Sequence, residues 1–260
     1  MPQILKRIKV YFLLFFLFLL TPTISFAVTL RDSYESAVEA YNKGQYDHAV
    51  EIYQSIIKDA PQFAPAYIGI GLSLKAKGAD VEEVIYYYKT AVEKDPTNSQ
   101  ALEQLGRLYY SLNRLDKAQA TFERALKINP GMTDVKASLG WIHLVGKNAN
   151  PERAIIYFKD VIKVSPTANV YFGLGIAYFS DNQREKALDI ITQLKSMGQE
   201  DLANKLEKSV RENRWVVLDE FNNPTEDKEI VEDKNTPEAT TSPNTFKGVK
   251  VRLRGKLSDL

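Results

Sequence analysis

Between about residue 30 and residue 200, apolar positions recur at helical spacing in short paired stretches. The clearest pair runs from Ser99 to Pro130. Leu102, Leu105, Gly106 and Tyr109 fall on one helical face, and Ala118, Phe122, Ala125 and Leu126 fall on another. Asn113-Arg114 between them predicts a turn. Gly106 is costly inside a helix, so its presence predicts a close approach of the second helix. Ala118 and Ala125 leave room for that approach, and Phe122 fills the gap. Pro130 cannot continue the second helix and ends the unit.

The same design recurs along the chain. Pro61, Pro96, Pro130 and Pro166 stand at intervals of 35, 34 and 36 residues, and each closes such a unit. The first unit carries Ala37, Gly44, Tyr46, Ala49 and Tyr53. The second carries Tyr67, Ile70, Gly71, Leu74, Gly78, Tyr88 and Ala91, and the fourth Leu139, Gly140, His143, Ala154 and Phe158. A fifth has Tyr171, Leu174, Gly175, Tyr178, Ala187 and Ile191 without a closing proline. Repetition at this period predicts stacked helical pairs that bury their apolar faces against their neighbours.

The order large residue, Leu-Gly, Tyr, then Ala, Phe and Pro resembles the tetratricopeptide repeat family over about Val28 to Met197. That resemblance implies an all-α fold, a right-handed superhelix of about five helix-turn-helix repeats. They would span about 30–63, 64–98, 99–132, 133–167 and 168–198, within a solenoid of 28–198. The turn after Gly78 is one residue longer than the family's, and the turn around Lys147–Pro151 two longer, additions that turns tolerate. After the repeats, Leu202, Leu206 and Val210 recur at four-residue spacing amid charged neighbours, which predicts a capping helix over 199–213.

In this family the first helices line a concave groove. By that resemblance the groove-facing candidates are Tyr34, Val38 and Tyr41, then Ile68, Leu72 and Lys75, then Glu103, Arg107 and Tyr110. The fourth and fifth units offer Ala137, Trp141 and Leu144, and Phe172, Ile176 and Phe179. Most are large and apolar, which marks a binding surface with aromatic anchors. The family's chaperone-binding members clamp a terminal carboxylate with lysine, asparagine and arginine. The matching places here have only Lys75 and Arg107 as basic residues, so the expected occupant is an amphipathic helix or an apolar extended peptide. The competing expectation is that tighter packing, or the chain's own tail, covers these side chains.

The N-terminus changes the expected address. Lys6, Arg7 and Lys9 precede an apolar run over Val10–Leu20, followed by Thr21-Pro22-Thr23 and the triplet Ser25-Phe26-Ala27. This is the layout of a signal peptide over 1–27, cleaved after Ala27. The alternative is an uncleaved anchor, since the apolar stretch extended to Val28 approaches spanning length. Both place the repeats outside the cytoplasm, periplasmic or secreted in one case and anchored facing the periplasm in the other. The chain has no cysteine, which removes disulfides, thiolate metal sites and a cysteine nucleophile. Loss of Lys6, Arg7 and Lys9 leaves 31 basic against 33 acidic residues, a balance that gives no footing for nucleic acid.

The tail, 214–260, differs in character. Trp215–Leu218 is an apolar island, and Asn222–Asn244 has the composition of a flexible linker. Over 246–256 apolar residues alternate with Lys247, Lys250, Arg252, Arg254 and Lys256, five positive charges with no acid. That segment reads as a solvated basic end, as a short strand for a partner's sheet edge, or as a contact for an anionic membrane or cell-wall surface. Pairing with Trp215–Leu218 is a further alternative.

Candidate chemistry is sparse. His143 takes the place that Tyr109 and Tyr178 hold in other units, which predicts packing; His48 is expected at the surface. No His-Glu-x-x-His or Gly-x-Ser-x-Gly occurs, and Gly69-Ile70-Gly71 and Gly173-Leu174-Gly175 sit inside helices rather than after strands. The expectation is a chain with no cofactor, no metal and no enzymatic activity. It would be an exported scaffold or adaptor holding a protein or peptide of assembly, secretion or pilus machinery. The alternatives are a periplasmic holding chaperone and a non-catalytic accessory to a cell-wall enzyme.

Overall fold

The computed structural model describes residues 29–212. The signal-like segment 1–27, Trp215–Leu218, Asn222–Asn244 and the basic residues Lys247, Lys250, Arg252, Arg254 and Lys256 lie outside the described residues. Within them the fold is all-α, a tetratricopeptide-type α-solenoid of eleven helices with no strand. These are α1 (29–42), α2 (Tyr46–Asp59), α3 (Ala64–Ala76), α4 (Val81–Lys94), α5 (Ser99–Ser111) and α6 (Leu115–Ile128). They continue as α7 (Thr133–Val145), α8 (Pro151–Ile162), α9 (Ala168–Ser180), α10 (Arg184–Ser196) and α11 (Glu200–Glu212). The chain divides into two compact units, one up to Leu105 and one from Gly106 onward.

Left-handed residues make the tight turns within most hairpins. Gly44, Gly78, Asn113 and Asn182 have positive φ, and Gly198 does the same between α10 and α11. The fourth hairpin uses a longer turn instead. There the Asn150 amide donates to the His143 carbonyl at 2.7 Å, and the Asn150 side chain caps α8 by accepting from the Arg153 amide at 2.9 Å. Proline in the first turn helps start α3 and α8.

In the first unit α3 packs against both α2 and α4, and Tyr53 and Tyr88 are the large rings between them. In the second, α7, α8, α9, α10 and α11 pack in succession. Phe122 and Phe158 are fully buried there. A methyl group on Gly106 would lie 2.6 Å from the Phe122 ring, and one on Gly140 would lie 2.8 Å from the Phe158 ring. Glycine at these places is what lets the aromatic side chain of the second helix sit on the backbone of the first. Helix α11 packs on α10 and α9, burying Ala203, Leu206 and Val210 completely, with Leu202 partly buried.

Candidate functional site

In the first unit, the candidate face consists of side chains from α1 and α3. Tyr34 is half-buried, 5.8 Å from the Tyr53 ring and edge-on to Phe63 at 5.5 Å. Tyr41 is also half-buried and lies 5.6 Å from Tyr46. Burial raises the phenol pKa of both, so each stays a neutral hydrogen-bond donor across the ordinary pH range. Val38 and Leu72 are partly accessible and Lys75 is exposed. Ile68 is not part of an open surface, being 3% exposed and enclosed in the core.

In the second unit, Arg107 donates to Asp134 at 2.9 Å, linking α5 to α7. The chain's own carboxylate thus already engages this guanidinium. Tyr110 is half-buried with its hydroxyl enclosed, and burial holds its pKa well above the ordinary tyrosine value. Trp141 is half-buried, edge-on to Phe158 at 5.3 Å, and packs against the core together with Phe179 and Ala137. Leu144, Phe172 and Ile176 are at most 1% exposed and belong to that core outright.

Four of the residues expected in the groove are therefore interior: Ile68, Leu144, Phe172 and Ile176. The reason for three of them is visible in α3 and α9. Each carries two glycines, and each glycine faces a different neighbour. A methyl group on Gly69 would come within 2.3 Å of Tyr53 in the preceding hairpin, and one on Gly71 within 2.5 Å of Tyr88 in its own. On α9, Gly173 faces Phe158 of the preceding hairpin, while Gly175 faces Leu206 and Ile190. A first helix approached this closely from both sides is covered nearly all round. The composition carried the signal, since α3 and α9 have apolar residues on every side and no charge before Lys75 in α3 and none at all in α9. Leu144 lies on a helix with one glycine and is enclosed by its contacts with the core of the fourth and fifth hairpins.

Family models described as tetratricopeptide repeat match residues 34–99 and 74–142. The chain is a tetratricopeptide-repeat protein. Among curated proteins it is similar to the CTR9 homolog of Arabidopsis thaliana, at 24% identity over 160 residues, 58% of this chain and 15% of that protein. It thus spans a small part of that relative's length. Among solved structures it resembles YrrB, a TPR protein with an unusual peptide-binding site, with a TM-score of 0.59 and 20% identity over 68% of this chain and 90% of YrrB. It also resembles Pseudomonas aeruginosa pilF, with a TM-score of 0.54 and 15% identity over 71% of this chain and 91% of that one. At these identities the likeness concerns the fold. The scaffold itself supports a protein–protein interaction role.

Among the described residues no group of three or more histidine, aspartate or glutamate side chains could hold a metal ion, and no helix is long and apolar enough to cross a membrane. His48 is exposed and lies 3.6 Å from Glu51. His143 is 3% exposed, stacks on Tyr157 at 5.7 Å, and neither ring nitrogen has a hydrogen-bond partner among the described residues. Asp160 accepts from Lys136 at 3.1 Å and Lys163 at 3.0 Å, and these hydrogen bonds hold its pKa below the usual carboxylate range.

Proposed function

We propose that this chain is an exported, non-catalytic scaffold whose first-helix face receives an apolar or amphipathic peptide segment of an envelope protein, within assembly, secretion or pilus machinery. The observation that carries this reading is the set of partly exposed aromatic side chains that remains in each unit once the interior residues are set aside. In the first unit it comprises Tyr34 and Tyr41, and in the second Tyr110, Trp141 and Phe179. Rigid aromatic side chains with one face already packed lose little entropy when a partner covers the other. YrrB, described as having a peptide-binding site, offers a precedent for a peptide on this kind of scaffold. The signal-like N-terminus supports export, and the basic segment 246–256 supports a contact with an anionic membrane or wall surface.

The test is crosslinking in intact cells from a photoreactive residue at Phe179, with adducts identified by mass spectrometry. One or two recurrent envelope proteins would support the scaffold. A broad smear of unrelated exported chains would replace it with a holding chaperone. Adducts only to cytoplasmic proteins, together with an intact N-terminus in the purified chain, would overturn export.

A further inference from the structure

The second unit has an open cleft on its second-helix side that the groove reading does not use. It lies between α6 and α8 and measures about 470 Å³. Leu126, Ile156 and Tyr157 supply its apolar floor, and Glu123, Lys127 and Arg153 its polar rim. Ile156 is 62% exposed, a large aliphatic side chain left in water at the mouth of the cleft. Tyr157 is the ring on which buried His143 stacks, so that wall is held in place from behind. Glu123 is already engaged, accepting from Gln119 at 3.0 Å and lying 3.8 Å from Arg153. Among the described residues Lys127 has no ion-pair partner, and the rim carries two cations against one acid. The cleft therefore suits an aliphatic side chain flanked by carboxylates.

The chain contains such a segment. Glu226–Lys234 reads Glu-Asp-Lys-Glu-Ile-Val-Glu-Asp-Lys, with five acids and two lysines around Ile230 and Val231. Those two are the only large aliphatic residues between Asn222 and Asn244. The other tail segment with apolar residues, 246–256, is wholly basic and would meet Lys127 and Arg153 with like charge. The tether is long enough. Helix α11 ends at Glu212, 18 residues before Ile230, and a chain of that length reaches at most about 60 Å. Helices α8 to α11 pack in succession within one unit, so three helix spacings of about 10 Å separate the cleft from α11.

We infer that Glu226–Asp233 docks intramolecularly in the α6–α8 cleft, with Ile230 and Val231 against Leu126, Ile156 and Tyr157 and the flanking carboxylates on Lys127 and Arg153. Tethering favours this occupant over a free peptide, because a segment of the same chain meets the cleft at an effective concentration on the order of millimolar. The inference stands independently of what occupies the first-helix face.

The experiment places a photoreactive residue at Val231 of the full chain and maps adducts by mass spectrometry. The expected result is an intrachain adduct confined to α6 and α8 around Leu126 and Ile156. Its yield should fall about tenfold when Lys127→Glu and Arg153→Glu reverse the rim, and should also fall on raising the salt concentration. Arg153 is exposed, and an unchanged thermal melt of the reversed variant would show that the fold is intact. Adducts scattered over the surface in proportion to exposure would overturn the proposal. So would a yield indifferent to the charge reversal, or an adduct that forms between chains and rises with protein concentration.

Discussion

Helices α7 and α9 occupy the same place in successive hairpins, yet they meet their surroundings differently. Helix α7 has one glycine, Gly140, set against Phe158 of its own hairpin. Two residues before it stands Ser138, half-buried, its hydroxyl turned back onto the Asp134 carbonyl at 2.9 Å. Helix α9 has a glycine at both places. Gly173 takes the position of Ser138 and admits Phe158 from the preceding hairpin. Accordingly α8 and α9 pack more extensively than α6 and α7. The repeat glycine closes a hairpin, whereas a second glycine two residues earlier closes the joint between hairpins. Helix α7 lacks that second glycine, and the cleft around Ile156 lies between the neighbouring second helices α6 and α8.

The contrast is broken most severely at the ring shared by both helices. Phe158→Ala should cost about 4 kcal/mol in a urea melt, because the ring is fully buried and both Gly140 and Gly173 are shaped around it. A cost near 1 kcal/mol would mean that the two helices collapse readily onto the space.

Next in size is a paired substitution that separates the two joints. Gly173→Leu should destabilise by about 3 kcal/mol, since even its first carbon would lie 2.6 Å from the Phe158 ring. Ser138→Leu at the matching place on α7 should cost less than about 1 kcal/mol, because the joint there is looser. Equal losses would remove the distinction between one-glycine and two-glycine helices.

This distinction explains what could be read before the structure. The four prolines, the Leu-Gly pairs and the aromatic position of each second helix were enough for the repeat and its fold, because a period reports which residues share a face. The period does not report how many neighbours cover that face. Ile176 and Trp141 hold the same place, each one residue past the repeat glycine, but Ile176 is 1% exposed under flanking helices while Trp141 keeps an open edge. The doubled glycines of α3 and α9 held the missing information, once each glycine is assigned its own neighbour. The cleft of α6 and α8 was illegible for a different reason: Ile156 sits one residue past a buried neighbour with nothing local to mark it.

Trp141 sharpens the comparison on the α7 side. Its ring is half-buried and edge-on to Phe158. Trp141→Ala should cost about 2 kcal/mol, less than truncation of a fully enclosed aromatic residue and more than loss of a surface side chain. A variant that melts like the parent would leave Trp141 purely a binding residue.

The smallest expected effect concerns His143, whose imidazole replaces the tyrosine of other hairpins. Burial lowers its pKa, the positive charge of Arg153 lowers it further, and Glu123 opposes both. Tyr157 stacks on the ring without supplying a hydrogen bond to either nitrogen. The folded chain therefore binds this proton more weakly than the unfolded chain, in which the pKa is about 6.5. The stabilisation from a neutral His143 is fully present above that value and is lost as pH falls below it towards the folded pKa. Carboxylates elsewhere also titrate at acid pH, so the informative quantity is a difference. The urea midpoint of the parent should fall between pH 7.5 and pH 5.5 by more than that of His143→Phe, which has no proton to gain and leaves no unpaired nitrogen. Parallel pH profiles for the two proteins would mean that the pocket around Tyr157 admits water to the ring, and that the wall behind the α6–α8 cleft is less closed than the packing of α7 on α8 implies.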